Sequence, residues 1–415
     1  MELKEPPGGL LNSLRRPTSF ENPMTSPSVK VLLATCGAWW LPHPAKAFET
    51  RGALAGLWVS QKNSTSLPRG KFNRCMPFHV VMKPFFHLAP QIWTEKAFYA
   101  FFPIWKSWLM AQSWPECNVV QAIIGYATEP FDRAEKTGAL KVVDCPNSHP
   151  VSYYGYWQRE CDLWCPGDHV PIPRWMFARM NRELERADLI LCPSVFVRDT
   201  MLANGLPAEK CFVNPFGVDL GIFKPREVVP ATPRFISVGT ICLRKGHQYL
   251  FRAFAEVRKQ MPGAELICVG EVKADFRKEW PKWRGMFTHL ASLSHPELAR
   301  RLQTCTAFVF PSVEEGFARV ISEAMGAGLP ILASYESGAT TLVEDGKEGL
   351  IIRARDPQHI AGAMLCVARD PELCRRMGAA AHQKGAAKNT WQDYGDRLLA
   401  EYMKRVDQSS QGETS

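Results

Sequence analysis

Residues 311–330 constrain the fold of this chain more than any other stretch, with the sequence PSVEEGFARVISEAMGAGLP. The apolar run AFVF at 307–310 precedes them and predicts a short buried strand. A loop at 311–317 then leads into a helix of about ten residues, which ends at Gly328 and has Pro330 beyond it as a stop signal. This order brings the N-terminus of a helix to the end of a buried strand.

Two carboxylates flank this helix N-terminus, Glu315 in the loop and Glu323 in the helix. The backbone amides of residues 316–320 have no helical partners, and together with the helix dipole they favour a bound phosphate or diphosphate. Gly316 allows the backbone to approach a ligand closely because it has no side chain. Since carboxylates accept hydrogen bonds from vicinal diols, the segment predicts a nucleoside diphosphate sugar as its ligand. The alternative is an ordinary surface helix with two solvated glutamates.

The longer segment PSVEEGFARVISEAMGAGLPILAS resembles the signature of retaining glycosyltransferases of the GT-B fold, family 4 above all, in which two glutamates are separated by seven residues. The resemblance implies that Glu315 contacts hydroxyl groups of the donor sugar and that Glu323 contacts the ribose. Ala318 stands where the family usually has glycine, and its methyl group narrows the sugar pocket. The donor-binding residues implied for this segment are Gly316, Phe317, Ala318, Arg319, Val320 and Glu323, with the amides of Arg319 and Val320 on the diphosphate.

The chain has 415 residues, a length that suits two domains of ordinary size. With 46% hydrophobic and 22% charged residues its composition is typical of soluble globular proteins. It has no apolar run long enough to span a membrane, and residues 1–27 lack the apolar core of a signal peptide, so we expect a disordered leader there. The 13 scattered cysteines are odd in number and lack zinc-ligand spacing, which favours a reducing cytoplasm.

The first half of the chain alternates apolar strands with helices, for example strands at 29–35, 118–125 and 140–144 and a helix at 129–137. This alternation predicts a doubly wound parallel sheet, in which ligands bind beyond the carboxyl ends of the strands. His149 follows such an end and is similar to the strand-end histidine that faces the donor sugar in family 4 enzymes. A structural role for His149 is the alternative.

Two tryptophans, Trp39 and Trp40, lie in the loop after the first strand. Aromatic rings suit the apolar faces of sugars, so these two residues are candidates for stacking on an acceptor. They are equally compatible with ordinary packing.

The second half opens with a strand at 235–238, which ends in Gly239 and Thr240 and is followed by Arg244 and Lys245. The family usually has arginine at the position of Thr240, so the resemblance implies that Arg244 supplies that charge and that Lys245 matches the family lysine. Cations there would stabilise the departing diphosphate. Leu293 is a candidate for the pocket of the donor base. A solvated basic turn is the alternative.

The net charge of +9 is unevenly distributed. Residues 62–110 contain seven basic residues and one acid, with ten aromatic residues between 78 and 108. Basic and aromatic residues together indicate a surface that meets anionic lipid headgroups. The alternative is that the aromatic residues are core and the lysines a solvated rim. We expect no nucleic-acid partner, because no known binding module is present.

Together these features predict an α/β protein of GT-B architecture, two Rossmann-like doubly wound domains facing a cleft. We expect a leader at 1–27, an acceptor domain at 28–215, a nucleotide-sugar domain at 216–390, and a crossover helix at 391–415 with a disordered tail from 407. The resemblance implies a retaining glycosyltransferase of polysaccharide biosynthesis that needs no metal or cofactor. It would move a sugar from a nucleoside diphosphate donor to a glycan or lipid-linked acceptor. The alternatives are a sugar-nucleotide epimerase and a non-catalytic module, and we expect a cytoplasmic location, peripheral on the inner membrane face.

Overall fold

The computed structural model describes residues 29–37, 40–61, 67–68, 70–88, 91–167, 172–386 and 389–412, without the side chains of 86–88, 91–96, 386 and 409–412. The expected leader at 1–27 and the candidate acceptor residue Trp39 therefore lie outside the described residues. The same holds for Lys62 and Arg69 of the basic and aromatic window.

The first domain is built on a seven-stranded parallel sheet of order β3-β2-β1-β4-β5-β6-β7. Its strands are β1 Val31–Thr35, β2 Leu54–Val59, β3 Phe72–Arg74, β4 Val119–Ile123, β5 Leu140–Asp144, β6 Leu189–Cys192 and β7 Cys211–Val213. Its helices are α1 Pro42–Thr50, α2 Met76–Leu88, α3 Gln91–Met110, α4 Thr128–Thr137, α5 Pro150–Trp164, α6 Arg174–Arg186 and α7 Val195–Ala203. The central strands β1, β4 and β6 are wholly buried, as expected for a sheet covered by helices on both faces.

The second domain is built on a six-stranded parallel sheet of order β10-β9-β8-β11-β12-β13. Its strands are β8 Arg234–Val238, β9 Glu265–Val269, β10 Thr288–Leu290, β11 Ala307–Phe310, β12 Ile331–Ser334 and β13 Gly349–Ile352. Its helices are α8 His247–Gln260, α9 Trp280–Trp283, α10 His295–Leu302, α11 Arg319–Gly326, α12 Pro357–Arg369 and α13 Pro371–Ala386. The strand order reverses between β1 and β4 in one sheet and between β8 and β11 in the other, and such reversals open crevices for ligands.

A long C-terminal helix, α14 (Trp391–Gly412), returns to the first domain and packs against α1. Its Tyr402 hydroxyl donates a hydrogen bond to Gln121 Oε1 in β4 at 2.9 Å, and both side chains are buried. The ring of Trp391 stacks on His43 with 4.3 Å between ring centroids. The disordered tail expected from residue 407 is wrong as far as residue 412, because the helix continues to there. Extending an existing helix fixes one residue for each added hydrogen bond and costs little.

The helix of the opening motif, α11, is shorter than predicted and ends at Gly326. Gly328 lies just beyond it at φ 70°, in the left-handed region. The amide of Leu329 donates back to the carbonyl of Ala324 at 3.1 Å, which is the hydrogen bond of a glycine-terminated helix end. The predicted glycine is therefore the residue that stops the chain from continuing as a helix.

The aromatic residues of window 62–110 belong mostly to the core. Phe78, Phe102 and Trp105 are at most 5% exposed, which favours the packing alternative for them. Phe85, Phe98, Phe101 and Trp108 are partly buried against the same core. Met76 and Val80 are 50% and 59% exposed on α2. Among the helices in the described part of the chain, none combines the length and apolar character needed to cross a membrane.

Candidate active site

The loop after β11 in the second domain meets the loop after β5 in the first. A Cβ atom built on Gly316 would lie 1.5 Å from the carbonyl oxygen of Pro146 and 3.0 Å from Asn147 Cα. The carbonyl of Gly316 also accepts a hydrogen bond from Ser194 Oγ at 2.6 Å. The missing side chain of Gly316 thus makes room for backbone of the first domain, whereas the sequence predicted the approach of a ligand.

A cluster of two carboxylates and two cations lies at this junction. Arg244 Nη1 donates to the carbonyl oxygen of Glu314 at 2.8 Å, to Glu314 Oε2 at 2.9 Å and to Glu315 Oε2 at 3.1 Å. Lys245 Nζ forms a short ion pair with the same oxygen of Glu315. It also lies 5.1 Å from the ring centroid of Phe310, within range of a cation–π contact. The two cations that the sequence predicted are therefore both held at Glu315.

Charge decides the protonation state of Glu315. Burial alone would raise its pKa, but Lys245 and Arg244 outweigh that effect and hold the pKa below its usual value. The balance is reversed at Glu314, where complete burial raises the pKa and Arg244 only partly opposes it. Glu315 is therefore an ionised carboxylate at neutral pH.

His149 is the N-cap residue of α5, and its ring is a neutral imidazole. Its Nδ1 accepts the amide N–H of Val151 at 3.2 Å, and its own amide donates to Thr200 Oγ1 at 3.0 Å. Burial lowers the pKa of His149 to about 4. Since Nδ1 is an acceptor in a neutral ring, the hydrogen is on Nε2, and the ring can donate to a ligand there.

The N-terminus of α11 offers unpaired amides, as the sequence predicted. Among the described residues, the amides of residues 316–320 have no hydrogen-bond partner. Glu323, inside the same helix, is 17% exposed at its side chain, and its Oε1 lies 3.7 Å from His295 Nε2. Burial raises the pKa of Glu323. Unpaired amides and a largely buried carboxylate therefore lie on the same short helix.

The remaining residues that were predicted to bind the nucleotide-sugar donor lie near the start of α11 or near the turn that carries Arg244 and Lys245. Gly239, at φ 140°, directly follows β8, and a Cβ atom there would lie 3.9 Å from Lys245 Cε. Thr240 contacts Cys242, with 3.9 Å between its Oγ1 and the cysteine sulfur. Phe317 and Ala318 are each 6% exposed. Leu293 is half-buried against the core beneath α10 and α11.

The side chain of Trp40 makes its contacts within the protein. Its indole N–H donates to Asp144 Oδ2 at 2.9 Å, and its ring packs on Phe216 with 4.9 Å between centroids. Asp144 also accepts from Gln121 Nε2 at 3.1 Å, and burial raises its pKa to about 7. These contacts favour the packing alternative for Trp40 over the stacking one.

Sequence reasoning missed Glu314 and Ser148. Glu314 is wholly buried, and its Oε1 accepts from the amide of Ser148 at 3.1 Å and from its hydroxyl at 2.9 Å. The available signals were the adjacent pair Glu314–Glu315 and the position of Ser148 directly before His149. In the described part of the chain, no group of three or more His, Cys, Asp or Glu side chains is arranged to hold a metal ion.

Comparison with protein families identifies the second domain. Residues 222–384 match the family model for glycosyl transferases group 1. The matched residues lie within the second domain. The chain is 27% identical over 274 residues to D-inositol 3-phosphate glycosyltransferase 1 from Catenulispora acidiphila, covering 58% of this chain and 63% of the relative. It is 27% identical over 243 residues to a sulfoquinovosyl transferase from Arabidopsis thaliana, covering 52% and 46%.

A mannosyltransferase from Mycobacterium tuberculosis is a further relative of this chain. It is named as a GDP-mannose-dependent phosphatidylinositol monomannoside mannosyltransferase, and it is 23% identical over 287 residues, which cover 64% of this chain and 70% of the relative. For three inositol phosphate relatives, the alignments span 63%, 47% and 58% of the relatives' own length.

Solved structures share the architecture over both domains. Sucrose-phosphate synthase from Thermosynechococcus elongatus aligns with a TM-score of 0.65 at 16% identity, covering 91% of this chain and 98% of that one. The Anabaena protein HepE, solved with UDP and glucose, aligns with a TM-score of 0.63 at 15% identity, covering 91% and 100%. This chain therefore has the two-domain GT-B fold, as the sequence predicted.

Proposed function

We propose that this protein is a retaining glycosyltransferase that moves a sugar from a nucleoside diphosphate donor to a hydroxyl group of a glycan or lipid-linked acceptor. The observation that carries the proposal is the pairing of Lys245 with ionised Glu315 beside the unpaired amides at the start of α11. Lys245 and the amides can then attract a diphosphate, and Glu315 beside them can accept hydrogen bonds from the hydroxyl groups of a sugar. His149 lies across the cleft, directly after Ser148, which contacts Glu314.

The donor diphosphate would bind at the N-terminus of α11, where the amides of Arg319 and Val320 and the charge of Lys245 meet it. The ribose would lie against Glu323, whose carboxylate can accept from a vicinal diol. The base would lie near Leu293, with Gly239 and Thr240 at the edge of the pocket. The amides and Lys245 then supply the positive charge that a divalent cation supplies in other transferases.

The sugar would lie between the two domains. Glu315 would accept hydrogen bonds from its hydroxyl groups, and His149 would donate one from Nε2. Transfer breaks the bond between the sugar C1 and the diphosphate oxygen and forms a bond between C1 and the acceptor oxygen. In a same-face reaction the acceptor proton passes to the departing phosphate, whose growing negative charge Lys245 stabilises. Glu315 then positions the sugar and forms no covalent bond with it.

Two observations support the proposed class of acceptor and the proposed location of the protein at a membrane. The relatives named above act, by name, on D-inositol 3-phosphate and a phosphatidylinositol mannoside, which supports an acceptor rich in hydroxyl groups and linked to a lipid. Lys106 on α3 is 57% exposed, but its Nζ lies 3.4 Å from Glu129 Oε1, so its charge is partly neutralised. On α2, exposed Met76, Val80 and Lys83 lie on one helix face. This face would meet an anionic membrane on the cytoplasmic side. Equal co-sedimentation with neutral and anionic liposomes would contradict that part of the proposal.

Thermal shift with UDP, GDP and ADP, each alone and as a common sugar conjugate, tests the donor site. A ligand at a hundred times its dissociation constant stabilises by about 2.7 kcal/mol and moves the midpoint by a few degrees. We expect one base to stabilise the wild type and to lose its effect in Glu323→Ala. If no nucleotide has an effect, the non-catalytic alternative replaces this proposal. Product analysis without an acceptor separates transfer from epimerisation.

A further inference from the structure

The side chain of Glu314 joins the two domains across the cleft. Its Oε1 accepts from the amide and hydroxyl of Ser148, in the loop after β5, at 3.1 and 2.9 Å. Its Oε2 accepts from Arg244 Nη1, in the turn after β8, at 2.9 Å. One carboxylate therefore has each oxygen bonded to a different domain.

We call the contacts of Glu314 with Ser148 and Arg244 the Glu314 bridge. Because these contacts are buried, the bridge can form only when the two domains are close together. Glu314 is 0% exposed and Ser148 5% exposed. A buried carboxylate is costly unless hydrogen-bonded partners surround it. Two of the three side-chain contacts of Glu314 come from Ser148, which is 166 residues away in the other domain. A separation of the domains by a few ångströms removes both of those contacts and leaves only Arg244.

The bridge also determines how Arg244 is held. Its Nη1 donates to the carbonyl oxygen and to Oε2 of Glu314 as well as to Glu315. The carbonyl of Glu314 is fixed in turn by Ser312 Oγ at 2.9 Å. Arg244 is thus anchored in the cluster by Glu314, while Lys245 contacts only Glu315 among the carboxylates of the described residues. Lys245 is therefore the cation with more freedom to meet a diphosphate.

At its first-domain end the bridge touches the residue next to His149. Ser148 carries both donors to Glu314, and the amide of His149 is fixed to Thr200 Oγ1 at 3.0 Å. The contact between Ser148 and Glu314 therefore ties the loop that carries His149 to the loop that carries Glu315. The two groups proposed to hold the sugar belong to different domains, and Glu314 is a direct side-chain link between their loops.

We propose that Glu314 is a positioning residue that couples the approach of the two domains to the alignment of His149 and Arg244 in the cleft. This inference rests on the proposed transferase function. It assigns Glu314 no contact with substrate. When Ser148 is in place the sugar site is complete, and when the domains part the second domain keeps its nucleotide-binding groups but loses His149.

The first test uses small-angle X-ray scattering of the full chain as wild type, Ser148→Ala and Glu314→Gln, with and without UDP or GDP. We expect a larger radius of gyration for both variants than for the wild type in the same buffer. Glu372→Gln is the matched control, because Glu372 pairs with Arg375 at an exposed site in the second domain. Wild-type scattering from both variants overturns the proposal, whatever their activity.

The second test separates turnover from donor binding. We expect Ser148→Ala and Glu314→Gln to lower kcat by about a hundredfold, the effect of a misplacement of roughly 1 Å. Their affinity for UDP or GDP should stay within about threefold of wild type, since the proposed nucleotide groups lie in the second domain. An unchanged kcat overturns the inference, because a merely structural residue would alter the unfolding midpoint and spare kcat. If the wild type binds no nucleotide, the proposed function fails, but the scattering comparison can still be interpreted.

Discussion

Glu160 of the first domain and Arg355 of the second form a buried ion pair, in which Arg355 Nε donates to Glu160 Oε1 at 2.6 Å. The other oxygen of Glu160 accepts from Gln248 Nε2 and from the Tyr249 hydroxyl, each at 2.8 Å. Arg355 has φ 66°, and among the described residues it is the one non-glycine residue at positive φ. A strained backbone of this kind persists where surrounding contacts hold it. The pair therefore anchors the far end of α5 to the second domain.

We expect Glu160→Gln to destabilise the protein by roughly 3 kcal/mol, because removing one partner of a buried pair leaves the other uncompensated. Scanning calorimetry would record this as a lower unfolding midpoint. Glu372→Gln, which alters an exposed pair, should leave the midpoint unchanged. Equal midpoints for the two variants would show that the Glu160 pair contributes no stability.

Gly316→Ala should impair transfer by forcing the two domains apart. The new Cβ atom would lie 1.5 Å from the Pro146 carbonyl oxygen, and backbone on both sides leaves no flexible side chain to yield. We expect transfer to fall at least tenfold, with nucleotide affinity retained. Gly263→Ala is the control, since a Cβ atom there meets nothing within 4 Å. Wild-type rates in Gly316→Ala would mean that the close approach of Gly316 to Pro146 is not needed for transfer.

Lys245→Met should lower kcat roughly a hundredfold to a thousandfold, the loss seen when one preorganised group that stabilises transition-state charge is removed. The methionine keeps roughly the length of the side chain but removes the charge, which lies 5.1 Å from the ring centroid of Phe310. Steady-state kinetics would measure the effect. Lys347→Met, at a side chain that is 61% exposed, is the control. A kcat within twofold of wild type would exclude Lys245 from the chemistry.

His149→Asn should reduce the pH dependence of stability on the acid side. Because burial lowers the pKa of His149 from 6.5 to about 4, the unfolded chain binds more protons than the folded one between these pH values. The contribution of His149 to the free energy of unfolding is therefore fully present above pH 6.5 and is lost as the pH falls towards 4. Asparagine can still cap α5. Urea unfolding at pH 7 and pH 5 should differ less for the variant than for wild type.

His295→Asn serves as the control for that comparison, since it replaces a histidine whose side chain is 73% exposed. The buried His247, with a pKa of about 3, contributes with the same sign in every variant and cancels. An unchanged difference between pH 7 and pH 5 in His149→Asn would contradict the assignment of a neutral ring to the folded state.

The alternation of strands and helices could be predicted because it depends on local pattern. The run AFVF forms β11 as predicted, and apolar runs of this kind mark strands that are buried on both faces. Boundaries were less accurate. The helix α11 ends two residues earlier than predicted. Gly328 adopts its left-handed conformation beyond the last helical turn and is not part of the helix.

The candidate site was only partly predictable. Glu315, Lys245 and His149 could be named from strand ends and motif positions, and their roles stay predictions. Glu314 could not be distinguished from Glu315, because its partner Ser148 lies 166 residues away. Trp40 was a candidate for contact with an acceptor, but its indole N–H donates to Asp144, 104 residues away. The sequence alone could not show that long-range contact.

By itself the sequence determined the parallel α/β class, the strand and loop at 307–317 and the unpaired amides where the next helix begins. These depend on hydrophobic periodicity and on backbone groups left unpaired at a helix end, both of which act over a few residues. Only the tertiary structure decided that Gly316 faces Pro146 and that Glu314 joins Ser148 to Arg244. Those contacts follow from how closely the two sheets approach each other. That approach depends on the packing of the whole chain.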